Sequence, residues 1–213
     1  MRLRITFAKT EAMRFTSHLD LHKAWERTLR RAGLPLAYTQ GFSPHPRLNL
    51  ASALPLGFTG EAEVIDIYLE KDLSLEEIES ALRPACPPGI RIQCIETVDL
   101  RAPTLQLELT ALEYTITLLD GLSDLDERVQ ALLSAPSLPR IRRDKPYDLR
   151  PLVIDLQRLP DDPQGHPRLR ALLASHPGAT GRPEEVLEAL GYPPTTARVH
   201  RTRLVFGQPA TNP

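Results

Sequence analysis

The residues best suited to chemistry fall between positions 14 and 47. Lys23, Arg27 and Arg31 recur every fourth residue, with Arg30 beside them and Arg14 upstream. On a helix that spacing makes one cationic stripe, opposite an apolar stripe of Leu21, Trp25 and Leu29. Only Glu26 interrupts the stripe, so these cations repel one another unless an anionic partner compensates. The phosphates of a nucleic acid would do so, and pairing with an acidic segment elsewhere in the chain is the plainer alternative. Downstream, His45 is held between Pro44 and Pro46 and followed by Arg47, with Tyr38 and Phe42 close by. Aromatic rings interleaved with arginine suit single-stranded nucleic acid, on which bases stack while cations meet the backbone. A rigidly presented histidine is also a candidate general acid or base near neutral pH. His45 is the first candidate for that role and His18 the second. The closing segment adds Arg201 and Arg203 on one expected strand face, with Arg198, His200 and Thr202 on the other. Together with Arg140, Arg142 and Arg143 they make a second candidate phosphate track.

Other chemistries find little support. His18 and His22 stand four apart, but a metal needs further ligands and no HExxH pattern is present, so no metal is expected. No GxSxG, GxxxxGK[ST] or GxGxxG occurs. Cys86 and Cys94 are the only two cysteines, too few for a disulfide framework or a zinc cluster. No cofactor is expected. No window approaches the roughly 18 apolar residues of a membrane span, and the start does not read as a signal peptide. A cytoplasmic, reducing setting follows.

The 213 residues have a formal net charge of −1, which conceals a segregation. Residues 1–50 carry nine Lys or Arg against three Asp or Glu, whereas residues 51–100 carry three against ten. Such a field asymmetry can steer an anionic ligand toward the basic quarter. The 21 prolines are scattered, as in rigid turns rather than a low-complexity tract.

The elements that must position these residues follow from periodicity. Residues 2–8 alternate as a strand, with Leu3, Ile5 and Phe7 on one face. Ser17 with Asp20 has the spacing of a capping box for a helix running to Ala32, stopped by Gly33. Strands are expected at 35–39, 48–52, 62–70 and 89–98, with a helix over 75–84 capped by Ser74. The second half reads as strands at 105–119, 138–142, 150–156, 168–173 and 197–206. Its helices are expected at 123–134, capped by Ser123, and at 183–190. The β-α-β-β-α-β order is that of a ferredoxin-like split βαβ arrangement. The expected fold class is α+β, with two tandem ferredoxin-like (βαββαβ) modules at 1–102 and 103–206 and a loose tail at 207–213. The linker falls at Arg101–Thr104.

Several stretches resemble a known family. They are Arg14-Phe15-Thr16-Ser17-His18-Leu19-Asp20, Arg30-Arg31-Ala32-Gly33-Leu34-Pro35-Leu36, Tyr38-Thr39-Gln40-Gly41-Phe42-Ser43-Pro44-His45-Pro46-Arg47 and Leu54-Pro55-Leu56-Gly57. They are similar to the radical SAM-linked protein family, bacterial proteins encoded beside or fused to radical SAM proteins. The resemblance is dense over residues 1–70 and thinner at Asp148-Leu149-Arg150-Pro151 and Arg201-Thr202-Arg203. It implies a radical SAM protein as partner and a context of RNA processing. The chain lacks that enzyme class's three-cysteine motif, so the chemistry would belong to the partner. The Gly41–Arg47 pattern after a basic helix also resembles ferredoxin-like RNA-binding modules of CRISPR repeat-processing proteins, although residues 200–213 hold one glycine, Gly207, where those nucleases carry a glycine-rich loop.

The expected function is therefore an RNA-binding or substrate-presenting accessory partner of a radical SAM enzyme, with tRNA or rRNA as candidate ligands. Two alternatives stand beside it. One is a metal-independent endoribonuclease using His45 or His18, and the other a scaffold docking its partner through the acidic 61–79 segment.

Overall fold

The computed structural model describes residues 1–122, 124–142 and 144–207. The chain divides after Glu108 into two compact α+β units.

The first unit runs β1 (Arg2–Lys9), α1 (His18–Arg31), β2 (Leu48–Leu50), β3 (Thr59–Tyr68), α2 (Leu75–Ala85), β4 (Ile90–Val98) and a short α3 (Leu105–Glu108). Its sheet is antiparallel throughout. β1 lies between β3 and β4, with Ile5 opposite Ile65 on one side and Ile95 on the other, and β2 pairs with the outer side of β3. The two helices supply Leu21, Trp25, Leu29, Ile78 and Leu82 to a core with Leu3, Ile5, Phe7, Ile65 and Ile67. Trp25 meets Phe7 edge-on at 4.8 Å between ring centroids, a favoured aromatic geometry. This is the apolar stripe read from the sequence, and its burial turns the cationic stripe outward.

Ser17 caps α1, its Oγ accepting from the Asp20 backbone N–H at 3.2 Å. The box is not reciprocal: the Asp20 carboxylate accepts from the Ser17 hydroxyl instead of its backbone N–H. At α2 the box is complete, between Ser74 and Glu77. The expected strand at 35–39 reduces to two isolated bridges, Leu36 with Leu69 and Tyr38 with Pro46. Pro35 and Pro46 each lack a donor, so no continuous ladder forms there.

The division after Glu108 falls a few residues beyond the expected linker at Arg101–Thr104. Residues 105–108, expected as strand, form α3, and Glu108 pairs with Arg4 at 2.9 Å, tying the segment to the first unit. The backbone carbonyls of Ala102 and Pro103 each accept from Arg2 at 2.7 Å. Arg2 is fully buried, and its charge is met by Asp66 at 2.6 Å.

The second unit runs β5 (Leu109–Leu118), α4 (Leu125–Ser134), a hairpin of β6 (Pro139–Arg142) and β7 (Lys145–Asp148), β8 (Val153–Leu159), β9 (Arg168–His176), β10 (Ala179–Thr180), α5 (Pro183–Ala189) and β11 (Ala197–Phe206). β5 pairs antiparallel with β11 and β9, and β9 pairs antiparallel with β8 and β10. The capping role expected of Ser123, the contribution of Arg143 and residues 208–213 of the tail lie outside the described residues. No helix among the described residues is long and apolar enough to cross a membrane.

Candidate nucleic-acid interface

Helix α1 presents Lys23, Arg27, Arg30 and Arg31 as exposed residues. Lys23 and Arg27 form no ion pair or hydrogen bond among the described residues. Among the described residues Arg30 reaches only the Glu26 carboxylate, at 4.0 Å. Arg31 is differently engaged, donating to the Ala85 carbonyl at the end of α2 at 3.2 Å. The acidic 61–79 segment does not neutralise this stripe. Asp66 is buried and takes Arg2 and Arg4, Glu61 meets Arg91, Glu77 caps α2, and Glu79 meets Arg83. Glu63 and Asp66 of that segment lie inside the fold and are not available to a docking partner.

The loop after α1 turns on Gly33, which has a positive φ of 67°, a conformation glycine adopts without strain. Arg47 N–H donates to the Ala37 carbonyl at 2.7 Å, and Ala37 N–H in turn donates to Tyr68, fixing the loop to the edge of β3. Phe42 at its tip is fully exposed and Tyr38 is 44% exposed. The Arg47 guanidinium lies 4.0 Å over the centre of the Tyr68 ring, a cation–π contact that orients its charge. Tyr38, Thr39, Arg47 and Leu48 share the lining of one open hollow.

A second hollow, of about 420 Å³, joins the helix to the loop. Leu19, His22, Lys23, Glu26, Thr39, His45, Pro46 and Leu48 line it. Glu26 Oε1 lies 3.4 Å from His22 Nδ1 and 4.0 Å from His45 Nδ1. The structure thus brings His45 and Lys23 together, and adds Glu26, His22, Leu19 and Leu48, which sequence reasoning did not select. Glu26 carried a legible signal, being the lone acid in the basic run and four residues after His22. His18 opens α1, half-buried, and does not line this hollow. No group of three metal-ligating side chains forms among the described residues.

Arg14 is half-buried, donating from Nε to the Gly57 carbonyl at 3.0 Å and resting over the Phe15 ring. The backbone around it is held by Lys9, a fully buried ammonium that donates to the carbonyls of Thr16 at 2.9 Å and Phe58 at 3.0 Å.

The second candidate track requires a correction. Arg201 is fully buried, at 0% exposure, while the Arg203 side chain is 59% exposed and reaches Glu113 at 3.3 Å. The pairing with β5 shifts register between Arg201 and Arg203. A β-bulge there breaks the alternation that would have put both on one face. Arg203 and Arg198 remain at the surface, and Arg201 is removed from the track.

These features define a two-unit α+β protein whose first unit carries an exposed cationic and aromatic surface. The chain belongs to a family described as "Uncharacterized protein conserved in bacteria (DUF2344)", which matches residues 2–183. No curated protein matches it in sequence. Among solved structures it is similar to a chain of a Cbf5-Nop10-Gar1 complex, at 12% identity and a TM-score of 0.52, covering 95% of this chain and 48% of that one. It is also similar to a chain of an H/ACA RNP bound to a substrate RNA containing 2'-deoxyuridine, at 13% identity and a TM-score of 0.45, covering 86% and 43%. A third is in an archaeal box H/ACA sRNP Nop10-Cbf5 complex, at 14% identity and a TM-score of 0.46, covering 97% and 49%. The chain spans about half the length of the structures it matches. Identity this low makes the first a likeness of fold.

Proposed function

We propose that the first unit binds single-stranded RNA across the outer face of α1 and the loop from Tyr38 to Arg47. The observation that carries this reading is the state of Lys23 and Arg27, exposed and without carboxylate partners among the described residues although an acidic segment is present in the same unit. Phosphates supply the missing anions, and Phe42 and Tyr38 supply stacking surface that does not depend on base identity. Arg14 and Arg47 are further members of the proposed surface, with Arg30 and Arg31 as its weaker members. Arg203 on the second unit is a separate phosphate contact.

The protein acts in this reading as an accessory that holds or presents RNA in the cytoplasm, with tRNA or rRNA as its ligand. A radical SAM enzyme as its partner rests on the sequence resemblance of residues 14–57. Reading each unit as a ferredoxin-like module is supported by strand order. In the first, β4-β1-β3-β2 is the order of a split βαβ arrangement, and in the second β11-β5-β9-β8 repeats it with the β6–β7 hairpin inserted.

The test is fluorescence anisotropy of labelled single-stranded RNA titrated with the full chain over a salt series. Binding whose logarithmic affinity falls steeply with logarithmic salt supports the surface, by about 0.7 per phosphate neutralised. Absence of binding at low salt would sink it.

A further inference from the structure

The hollow between α1 and the loop is lined by a carboxylate with no hydrogen-bond donor on it among the described residues. The Glu26 side chain is only 14% exposed, yet its carboxylate accepts no hydrogen bond among the described residues. Its neighbours are His22 at 3.4 Å, and His45 and Arg30 both at 4.0 Å, beyond the roughly 2.7–3.2 Å of an N–H···O bond. An ionised carboxylate is acceptor-only, with two oxygens side by side, and here it lines a hollow open to a ligand that brings donors. Leu19, Pro46 and Leu48 give the same hollow apolar walls, and Lys23 stands at its rim. The matching ligand is flat and apolar on its faces, has two parallel N–H donors on one edge, and is attached to a phosphate.

We infer that this hollow receives an unpaired guanine base of the bound strand, read by Glu26 through the base's N1–H and N2 amino group. Among the four RNA bases only guanine presents two adjacent donors on its Watson–Crick edge. Adenine and cytosine place a ring acceptor beside the amino group, and uracil places carbonyls on both sides of its single N–H. Each of those arrangements would press a lone pair against the carboxylate. Unstacked bases of single strands are read through this edge. An imidazole N–H of His22 or His45 is available to the guanine O6 acceptor, and Lys23 meets the adjoining phosphate.

This inference rests on the RNA-binding reading and deepens it. The experiment compares short oligouridine strands that carry one central guanosine, inosine, adenosine or no substitution, by anisotropy with the full chain at fixed salt. The guanosine strand should bind about 5–150-fold more tightly than plain oligouridine, the span of a good bidentate base contact. Inosine lacks the N2 amino group and should lose most of that preference, a readout that needs no protein variant. In Glu26→Gln the guanosine-to-uridine ratio should fall toward one. Overall affinity should hold or rise, because a negative charge beside the phosphate face is gone. Equal affinities for all four strands with a steep salt slope would overturn the guanine pocket and leave the RNA surface standing. A preference for adenosine, or inosine binding as well as guanosine, would also overturn it. No binding to any strand would overturn both readings together.

Discussion

Thr39 and His45 hold each other through a reciprocal pair of hydrogen bonds. The Thr39 N–H donates to the His45 carbonyl at 2.9 Å, and the His45 N–H donates to Thr39 Oγ1 at 3.1 Å. The clamp is made by backbone and a hydroxyl, so the imidazole takes no part in closing the loop. It leaves residues 40–44 as an exposed tip that carries Phe42 into solvent. A ring so exposed contributes little to folding and is free to stack on a base. Phe42→Ala should therefore leave the melting temperature unchanged while weakening single-stranded RNA binding by about 1–3 kcal/mol, the range for one stacked base. Anisotropy and thermal melts on the same samples check both halves. Unchanged affinity would remove Phe42 from the interface.

The unpartnered cations of α1 give a sharper expectation. If Lys23 and Arg27 each neutralise one phosphate, the double variant Lys23→Gln/Arg27→Gln should reduce the salt slope of binding by about 1.4. Glutamine keeps helix propensity and neither side chain makes an ion pair or hydrogen bond among the described residues, so the stability change should stay within about 0.5 kcal/mol per site. Arg31 is a poor choice for this experiment, because its bond to the Ala85 carbonyl would mix a structural loss with a binding one. A slope identical to wild type would show that this stripe meets no phosphate.

What the sequence made legible were features set by local period and caps. The alternation of residues 2–8, the Leu21-Trp25-Leu29 stripe, the Ser74 cap and the strand from Ala197 to Phe206 all follow from residues within a few positions of one another. What it hid depends on long-range pairing. Nothing local marks the bulge that turns Arg201 inward while Arg203 stays out, because the shift arises against β5. The candidate site was half legible for the same reason. His22 and Glu26 share a helix face by spacing, whereas the approach of His45 to Glu26 exists only once the loop bonds back through Arg47 to Ala37 and Tyr68. Residues 105–108 looked like the start of a strand by composition, and the Arg4–Glu108 pair helps hold them as a helix against the first unit.

Lys9 shows how the core fixes the segment before the site. Its ammonium is buried and spends its donors on the carbonyls of Arg14, Thr16 and Phe58. Lys9→Met keeps the apolar stem but removes the ammonium's bonds to these carbonyls, and a hydrogen bond to a charged group is worth about 1.5–3 kcal/mol. Partial rescue by water brings the expected loss to about 2–5 kcal/mol, measurable by urea denaturation. A loss under about 0.5 kcal/mol would mean that water replaces the ammonium without strain.

The two cysteines should differ in reactivity. Burial pushes the Cys86 thiol above its ordinary range, against the smaller opposing pull of Arg83 and Arg31, and its Sγ points to the Leu82 carbonyl at 3.5 Å. Cys94 is exposed on β4. Since the thiolate is the nucleophile, alkylation of the native protein at mildly alkaline pH should label Cys94 several-fold faster, as read by peptide mass spectrometry. Faster labelling of Cys86 would show that its end of α2 opens readily.

Glu113 is an acid-sensitive point of the second unit. Burial by itself would raise its pKa, but the bonds from Arg170 at 2.8 Å and Thr202 at 3.0 Å, with Arg203 at 3.3 Å, more than offset this and hold the carboxyl below its usual range. The sign follows from linkage: a carboxyl whose pKa is lower in the folded state binds fewer protons there than when unfolded. Its contribution is therefore fully present above the unfolded value of about 4.3 and is lost as pH falls through the lower folded value. Glu113→Gln cannot titrate. At neutral pH it should be less stable than wild type by about 1.5–3 kcal/mol, the scale of a hydrogen bond to a charged group. Below a pH of about 4 the gap should close as the wild-type carboxyl protonates. Urea denaturation of both proteins across that range measures the gap directly. Two parallel stability curves, with the gap constant down to the lowest pH, would show that Glu113 is not the group whose protonation loosens this unit.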